Sequence, residues 1–281
     1  KVLTTLLCFF LMPTNIEYMH INSENYNKDN PITTALLLAA GTGSRLYPLT
    51  KNSPKCLTLV NEKSILERLV TNLKQQGFKR LVIVTGYKKE CIVDFLGDKT
   101  EGLSIEYIHN PLYNSTNNIY SLWMARKIIN ESFVLLESDL VIETSLLNKM
   151  IYPDRIAVAK MQPWLNGTKV TLNDLNIVAD FHLGTSDSHS DVCYKTVNIY
   201  SFSISSWRGI IKKMNQFISE GRVNCYYETI FSKMVEEESL FLKAISFDEK
   251  PWYEIDTIDD LVEAKKLFPL DSSREVICEI I

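Results

Sequence analysis

Leu38–Lys55 (LAAGTGSRLYPLTKNSPK) is the stretch that decides the fold. It begins at the end of Thr33–Ala39 (TTALLLA), a short apolar run that is typical of a buried parallel strand. Arg45 and Lys55 place two positive charges within one loop directly after this strand, where ligands bind in open α/β sheets. Small residues in the loop let backbone N–H groups approach a triphosphate closely. The small residues are Ala39, Ala40, Gly41 and Gly43.

Two better-known phosphate loops do not match this stretch. A Walker A loop needs a lysine followed by serine or threonine after its second glycine, and neither glycine here is followed by that pair. The dinucleotide-binding fingerprint needs a third glycine where this chain has Leu46. The glycines and the arginine alone would also suit a tight strand-to-helix turn without a ligand.

Strands and helices alternate outward from the loop through the first half of the chain. Helix Ser64–Gln76 places apolar residues on one face and is followed by Gly77. Strands separated by single helices imply βαβ units, a mostly parallel sheet and right-handed crossovers. The other predicted strands are Arg80–Thr85, Leu103–His109 and Phe133–Glu137, and the other predicted helices are Lys88–Leu96 and Asn118–Ile129.

The second half predicts a different arrangement, with several strands joined by polar turns. These strands are Ile156–Met161, Lys169–Leu172, Ile177–Asp180, Cys193–Phe202 and Phe241–Phe247, with Gly184–Asp191 as a hairpin tip or exposed loop. Helices are predicted over Ser206–Glu220, Tyr226–Glu237 and Ile258–Phe268, the last opened by a capping box of Thr257 and Asp260. The fold class is therefore α/β: a Rossmann-like, mostly parallel mixed sheet flanked by helices, with a small β-rich subregion.

Length and composition limit the functions that are open to the chain. Its 281 residues, 46% of them apolar, suit one large α/β domain with a sizeable core. The net charge of −4 argues against non-specific binding of nucleic acid or of an anionic membrane, both of which need a basic surface. Six scattered cysteines without a C-x-x-C pair make a zinc site or a disulfide framework unexpected and suit a cytoplasmic protein with reduced thiols.

The two ends of the chain differ from its middle. The apolar run Leu3–Met12 is shorter than the roughly 20 residues of a membrane span. We interpret residues 1–31 as a disordered or artefactual extension, with membrane targeting or anchoring of an interaction module as the alternatives. Residues 32–268 are predicted to form the main domain, and residues 269–281 a tail or a linker.

The whole motif A-A-G-x-G-x-R-L-x-P-L-T, followed by P-K, resembles the signature loop of the sugar-nucleotidyltransferase family. The resemblance continues through most of residues 33–268. It implies a nucleotidyltransferase fold in which the glycines wrap the triphosphate of a nucleotide. It further implies that Arg45 and Lys55 bind the phosphates.

The same resemblance implies a place for the base. Gly86 and Tyr87 directly follow strand Arg80–Thr85, where the family reads the base. The loop Asn114–Leu122 (NSTNNIYSL) offers amides and hydroxyls that suit a base edge and a ribose, and it would also serve as a helix N-cap. Its candidate residues are Thr116, Asn117, Asn118 and Ser121. The string Asn-Asn-Ile-Tyr-Ser-Leu resembles the cytidylyltransferase branch that activates phosphocholine or 2-aminoethylphosphonate, which favours CTP.

Two aspartates coincide with the metal positions of the family. Asp139 follows strand Phe133–Glu137, and Asp256 lies far along the chain in WYEIDT. Mg²⁺ prefers a few hard oxygen ligands and accepts phosphates and waters for the remainder. The resemblance therefore predicts that both carboxylates hold Mg²⁺. Singly, Asp139 could be a turn residue and Asp256 a helix-start residue; Glu137 is close in sequence but alternates with Asp139.

The acceptor side of the site is the least determined by sequence. Lys195 lies in CYKTVNIYSFS, which resembles the strand that carries a phosphate-binding lysine near the acceptor in the phosphonate-linked branch. Aromatic residues could line an acceptor pocket or pack in the core. They are Trp164, Tyr194, Trp252 and Tyr253. An aromatic cage would suit a quaternary ammonium group, whereas a primary amine would need acceptors such as Glu254.

These patterns together predict a Mg²⁺-dependent transfer of CMP from CTP to a small phosphonylated or phosphorylated acceptor. The candidate acceptors are 2-aminoethylphosphonate, phosphocholine and phosphoethanolamine. One alternative is a sugar-1-phosphate nucleotidyltransferase that uses UTP, dTTP or GTP. Another is a regulatory nucleotide-binding protein without catalysis. A homo-oligomer or a fusion to a further domain is compatible with the sequence.

Overall fold

A computed structural model describes residues 31–100, 102–163, 165–184 and 192–269, and all of the elements below lie within Ile32–Ile281. The predictions for Leu3–Met12, for Trp164, for residues 185–191 of the polar loop and for the tail beyond residue 269 fall outside the described residues.

The described part of the chain contains both helices and strands. The helices are α1 (Ile65–Gln75), α2 (Lys89–Leu96), α3 (Asn118–Ala125), α4 (Ser145–Asn148), α5 (Ile204–Ser219), α6 (Glu228–Glu236) and α7 (Ile258–Leu267). The strands are β1 (Thr34–Ala39), β2 (Leu59–Val60), β3 (Lys63–Ser64), β4 (Arg80–Thr85), β5 (Lys99–Thr100), β6 (Leu103–His109), β7 (Phe133–Glu137), β8 (Leu140–Ile142), β9 (Arg155–Lys160), β10 (Lys169–Leu172), β11 (Val178–His182), β12 (Tyr194–Phe202), β13 (Lys243–Ser246) and β14 (Trp252–Glu254).

One large mixed sheet organises the described residues. Its strand order is β11-β10-β12-β7-β1-β4-β6-β5, and β9 joins it beside β12 with β13 at its far side. The central strands β7, β1, β4 and β6 are parallel, whereas β12 runs antiparallel to β7. The predicted class, a mostly parallel sheet flanked by helices, is confirmed. Strands β9 to β13 of the second half extend this same sheet on one side.

Helices cover both faces of the sheet, which explains why β1 is apolar along its whole length. Leu36 and Leu38 pack into a core on one face with residues of α3, α5 and α6. Ala35 and Leu37 pack on the other face with residues of α1. A parallel strand that is buried on both faces cannot alternate between apolar and polar residues.

Side-chain caps fix the starts of four of the described helices, among them α1 and α7. The Ser64 hydroxyl accepts a hydrogen bond from the Glu67 N–H and opens α1. Thr257 and Asp260 exchange the two bonds of the predicted capping box at the start of α7. Each cap satisfies backbone N–H groups that the first helical turn leaves without partners.

The structure differs from the sequence prediction mainly in its short elements. The helix predicted over Asn118–Ile129 ends at Ala125 and continues as turns. Strands β8 and β14 and helix α4 are absent from the sequence prediction. They have three or four residues each, which is too short for a hydrophobic period to be recognised. None of the helices in the described ranges has the length and hydrophobicity that crossing a bilayer would require.

Candidate active site

The glycine-rich loop is held in a conformation that only glycine adopts easily at its centre. Gly43 has a φ of +62°, and a Cβ there would lie 2.9 Å from the Lys55 Cβ. The Thr50 hydroxyl donates to the Gly43 carbonyl at 2.9 Å. The loop therefore folds back so that the stem of Lys55 packs directly against Gly43.

A short antiparallel strand pair brings the two predicted metal-binding aspartates together. Strand β8 begins just after Asp139, and β14 ends two residues before Asp256. In their register Glu254 is paired with Leu140, and the Ile255 N–H donates to the Asp139 carbonyl at 2.9 Å. The pairing of these two strands therefore brings aspartates that are distant in sequence to the same place.

A small hydrophobic cluster ties the loop to this strand pair. Leu46 of the loop is fully buried and belongs to one cluster with Val141 of β8 and Ile255, which follows β14. Leu261 of α7 completes the contact. The phosphate-loop candidate and both aspartates are thus anchored to a common piece of core, which fixes their relative positions.

Lys55 lies between the two aspartates. Its Nζ is 2.7 Å from Asp139 Oδ2 and 2.7 Å from Asp256 Oδ1, so these two oxygens cannot be farther apart than twice that distance. Arg45 Nη2 lies 2.7 Å from the same Asp256 oxygen, and 64% of its side chain is exposed. The predicted loop cations and the predicted aspartates therefore form one ion-paired group.

The charges of this group shift one another's pKa values. Burial alone would lower the pKa of Lys55, but Asp139 and Asp256 outweigh it and hold the pKa above its ordinary value. Burial alone would raise the pKa of Asp256, but Lys55 and Arg45 bring it below its ordinary value. Both shifts favour the charged forms, so Lys55 and Asp256 are ionised at neutral pH.

A cleft of about 310 Å³ opens in front of this group at the carboxyl ends of the central strands. Arg45, Lys55, Asp139 and Asp256 all line it. Its lining also includes most of the other residues predicted from sequence: Ala40, Gly41, Gly43, Thr116, Asn117, Asn118 and Ser121. Further lining residues, which the sequence pattern does not single out for this role, are Ser44, Asn110, Tyr113, Glu137 and Ser138.

Asn110 follows β6 directly, so the rule that ligands bind at strand ends would have found it. Its amide donates to the Ser121 hydroxyl at 3.1 Å and ties the end of β6 to α3. The alternation of Glu137 with Asp139 left the direction of the Glu137 side chain open. In the structure its carboxylate accepts a hydrogen bond from the Asn118 amide at 3.4 Å and forms part of the cleft wall.

Four of the predicted site residues lie outside the lining of the cleft. Ala39 is buried within the end of β1. Gly86 and Tyr87 lie behind the loop: the Tyr87 N–H donates to the Ala40 carbonyl at 3.1 Å, and the Tyr87 hydroxyl contacts the Lys51 carbonyl at 2.8 Å. These residues support the loop from behind. Lys195, the fourth, is 2% exposed and lies among other buried ionisable groups.

Gly86→Ala is expected to lower the melting temperature and weaken nucleotide binding. A Cβ at this position would lie 2.5 Å from the Ala40 carbonyl oxygen and 2.7 Å from the Tyr113 Cβ. Such overpacking typically costs about 1–3 kcal/mol and would shift the loop. Thermal unfolding and calorimetric titration with CTP measure both effects.

Gly209→Ala is the matched control, because a Cβ there meets only the flexible end of Met234 at 3.2 Å and the position is helical. Equal stability and nucleotide affinity in Gly86→Ala and the wild type would contradict the supporting role of Gly86.

A second group of ionisable side chains lies beside the cleft. Lys195 Nζ lies 3.2 Å from Glu254 Oε2 and donates to the Thr196 carbonyl at 2.6 Å. The other Glu254 oxygen accepts from the Asn198 amide at 3.0 Å. Burial raises the pKa of Glu254, and nearby Asp139 and Asp256 raise it further, whereas Lys195 lowers it in part.

Glu228, in the first turn of α6, belongs to this second group and is not among the residues predicted from sequence. It is 5% exposed, and its Oε2 is buried without a hydrogen-bond partner. Burial raises its pKa to about 7, with Lys195 lowering and Glu254 raising it. No short motif marks this residue, because its partners come from distant strands.

Glu228→Gln is expected to raise the melting temperature at pH 8.5, and the gain should shrink as the pH falls towards 4.5. Folding raises the pKa of Glu228 from 4.5 to about 7. Between these pH values its carboxyl group is ionised in the unfolded chain but still protonated in the folded chain. Stability of the wild type therefore falls as the pH rises through this window, by at most roughly 3 kcal/mol.

Thermal unfolding over a pH series tests this. Glu236→Gln, on the exposed part of the same helix, is the control and should show no pH-dependent gain. A Glu228→Gln variant that is no more stable than the wild type at pH 8.5 would contradict the buried-charge assignment.

The remaining aromatic candidates pack in the core. Tyr194, Trp252 and Tyr253 each contact one of the three hydrophobic clusters, and none of them lines the cleft. Of the two roles that the sequence left open for these three residues, core packing therefore matches the structure.

Comparison with known proteins finds a family match in the first half of the chain. Residues 34–159 match the family described as nucleotidyl transferase. The chain is 28% identical over 258 residues to CMP-5'-(3-aminopropyl)phosphonate synthase of Streptomyces rubellomurinus, covering 87% of this chain and 40% of that protein. It is 38% identical over 101 residues to choline-phosphate cytidylyltransferase of Streptococcus pneumoniae, covering 36% of this chain and 42% of that protein.

The fold also matches a solved structure along most of its length. The CTP:phosphocholine cytidylyltransferase LicC of Streptococcus pneumoniae superposes with a TM-score of 0.71 at 23% identity, and the match covers 85% of this chain and 100% of that one. At this identity the likeness supports the fold. The sequence matches thus cover less than half the length of the two curated relatives, whereas the structural match covers the whole length of the solved structure.

Proposed function

We propose that this chain, whose residues 34–159 match the nucleotidyl transferase family, transfers CMP from CTP to a small acceptor that carries a phosphonate or phosphate group, releasing pyrophosphate. We assign the activity to residues 32–268. The observation that carries the proposal is the ion-paired group of Lys55, Asp139 and Asp256 in a cleft beside a glycine-rich loop.

The chemistry requires a phosphoanhydride bond to break while negative charge moves onto the leaving group. An oxygen of the acceptor attacks the α-phosphorus of CTP and forms a new O–P bond. The bond between the α-phosphorus and the oxygen that bridges it to the β-phosphorus breaks. The acceptor oxygen is already anionic at neutral pH, so no strong general base or covalent nucleophile is needed. Catalysis then depends on positioning and on neutralising charge.

Lys55 and Arg45 supply the positive charge. The pKa of Lys55 is held above its ordinary value, so the side chain is protonated when the triphosphate binds. Arg45 contacts the same group from the exposed rim of the cleft, where it can also contact the phosphates of an entering nucleotide. Gly41 and Gly43 allow the backbone to approach the phosphates closely.

The residues at the aspartate pair fit Mg²⁺. Asp139 Oδ1 is buried without a hydrogen-bond partner, and its Oδ2 lies beside Asp256 Oδ1 across Lys55 Nζ. The described residues hold no group of three or more metal-ligating side chains, so the triphosphate and water would provide the remaining ligands that Mg²⁺ accepts. When bound, Mg²⁺ supplies charge neutralisation at the α-phosphate.

The names of the relatives support the proposed acceptor class. One is named for a CMP-(3-aminopropyl)phosphonate product and the other for choline phosphate, and both names describe an acceptor with a cationic nitrogen. We therefore favour 2-aminoethylphosphonate, with phosphocholine and phosphoethanolamine next. All three combine an anionic phosphorus group with a positive charge on a short carbon chain.

The polar lining of the cleft supports a second candidate, a sugar-1-phosphate nucleotidyltransferase. The side-chain amide of Asn117 and the hydroxyl of Thr116 can donate or accept hydrogen bonds, so they suit a uracil edge as well as a cytosine edge. Under this candidate UTP, dTTP or GTP would replace CTP.

Incubating the protein with Mg²⁺, one nucleoside triphosphate and one acceptor at a time tests both candidates. CTP, UTP, dTTP and GTP are paired with 2-aminoethylphosphonate, phosphocholine, phosphoethanolamine and glucose-1-phosphate, and the conjugates are identified by mass spectrometry. A CDP-conjugate of an amino-alkyl acceptor, or its CMP-phosphonate equivalent, is the expected product. An NDP-sugar alone would establish the second candidate, and no conjugate with any pair would overturn both.

A further inference from the structure

Glu228 is the buried carboxylate that the proposed reaction leaves without a role. It is 5% exposed, one of its oxygens has no hydrogen-bond partner, and it lies in the first turn of α6. Leaving a charged group buried and unpaired costs stability, because the group has lost its water and gained no donor. The presence of a glutamate at this position therefore indicates a role other than stabilising the fold.

Hydrogen bonds tie the start of α6 to the wall of the cleft. The Asn118 side-chain oxygen accepts from the Tyr227 N–H at 2.9 Å, and the Asn118 amide donates to Glu137 Oε1 at 3.4 Å. Asn118 and Glu137 both line the cleft. The Asn117 N–H also donates to the Val223 carbonyl at 2.9 Å, in the segment just before α6. Glu228 therefore follows directly on a segment that is fastened to cleft-lining residues.

Two carboxyl groups in this part of the molecule have one cation near them. Glu228 and Glu254 come from α6 and β14. Lys195 is the cation that the described residues place beside them, and its ammonium group contacts Glu254 Oε2 and the Thr196 carbonyl. Glu228 Oε2 is left buried without a hydrogen-bond partner.

A positively charged ligand group would correct this imbalance. A cation beside Glu228 would gain charge-assisted hydrogen bonds or close Coulomb contact in a region shielded from water. The rings of Tyr200 and Tyr227, whose centroids lie 5.8 Å apart edge to face, pack in the same part of the molecule and suit the apolar carbons next to such a cation.

We propose that Glu228 determines acceptor specificity, and that its carboxylate receives the cationic nitrogen of the acceptor beside the cleft wall formed by Asn118 and Glu137. This inference rests on the proposed transfer of CMP to a small phosphonate or phosphate. It adds that the enzyme selects an acceptor that has a positive charge at the end of the molecule remote from phosphorus. A primary ammonium and a quaternary ammonium share this chemistry, and the experiment separates them.

Steady-state kinetics with the full chain test the proposal. The acceptors are 2-aminoethylphosphonate, phosphocholine and 2-hydroxyethylphosphonate, each with CTP and Mg²⁺. In the last of these a neutral hydroxyl group replaces the ammonium group of 2-aminoethylphosphonate. The wild type is expected to prefer the better cationic acceptor to the hydroxyl analogue by about 100-fold in kcat/KM. Glu228→Gln is expected to lose at least about 10-fold for the cationic acceptor, mainly through KM, and to change less than about 3-fold for the hydroxyl analogue.

The control variant is Glu236→Gln on the exposed part of α6, which should keep wild-type kinetics with every acceptor. CTP affinity and melting temperature are measured for both variants, so that a general defect is distinguished from a change of selectivity. A Glu228→Gln variant that loses activity equally with all acceptors, or a wild type that uses the hydroxyl analogue as well as the amine, would overturn this inference while leaving CMP transfer intact. A wild type without any cytidylylated product would overturn the proposed function itself.

Discussion

Asp139→Asn is expected to lower kcat by about 1,000-fold or more while the fold is retained. The substitution keeps the size of the side chain but removes the negative charge that faces Lys55 at 2.7 Å. It also converts the buried, unpartnered Oδ1 from a carboxylate oxygen into part of a neutral amide. A divalent ion would then have one carboxylate ligand where it had two, because Asp256 is the other carboxylate of the pair.

Pyrophosphate release under saturating CTP and acceptor measures this effect. Asp259→Asn is the matched control, because Asp259 is exposed in the first turn of α7, three residues beyond Asp256, and does not line the cleft. Thermal unfolding confirms that both variants are folded. Activity of Asp139→Asn within about 10-fold of the wild type would contradict the catalytic assignment of this aspartate.

The glycine-rich loop and its cations could be predicted because their chemistry is local in sequence. Gly43, Arg45 and Lys55 lie within thirteen residues, so their proximity is set by chain connectivity. Strand β1 was equally clear, because a short apolar run that ends in small residues is typical of a buried parallel strand. These local features are also the ones that the structure places as expected.

The convergence of Asp139 and Asp256 could be expected only through resemblance. It depends on the pairing of β8 with β14, two strands of three residues that lie more than a hundred residues apart. Such strands carry no recognisable periodicity, and their register is set by burial of Val141 and Ile255 in a small shared cluster. Tertiary packing, which no window of sequence contains, therefore assembles this half of the site.

The strand that carries Lys195 shows what an alternation pattern leaves out. Lys195 resembles a phosphate-binding lysine, which predicts a place near the acceptor, and in the structure its ammonium group contacts Glu254 and the Thr196 carbonyl. Strand β12 shifts its register against β9 between Thr196 and Tyr200, and Asn198 within that stretch has a φ of +59°. An irregularity of this kind redirects side chains and is invisible to an alternation pattern.

Lys55→Ala is expected to have an effect on kcat at least as large as that of Asp139→Asn. The ammonium group contacts both aspartates and lines the cleft, so its loss removes positive charge from the leaving phosphates and leaves two carboxylates close together. Arg45 compensates only in part, because it contacts Asp256 alone and is mostly exposed. A loss of about 1,000-fold to 10,000-fold in kcat follows from the removal of a buried cation that opposes developing charge.

Stability provides a second measurement of the same variant that does not depend on turnover. Without Lys55 the repulsion between Asp139 and Asp256 should lower the melting temperature, and added Mg²⁺ should restore it by more than it raises that of the wild type. Lys51→Ala is the control, since Lys51 lies in the same loop with an exposed side chain outside the cleft. If Lys55→Ala kept near-normal turnover and gained no more from Mg²⁺ than Lys51→Ala, then Lys55 would be an ordinary structural ion-pair partner. The cationic loop would in that case lose its central role in catalysis.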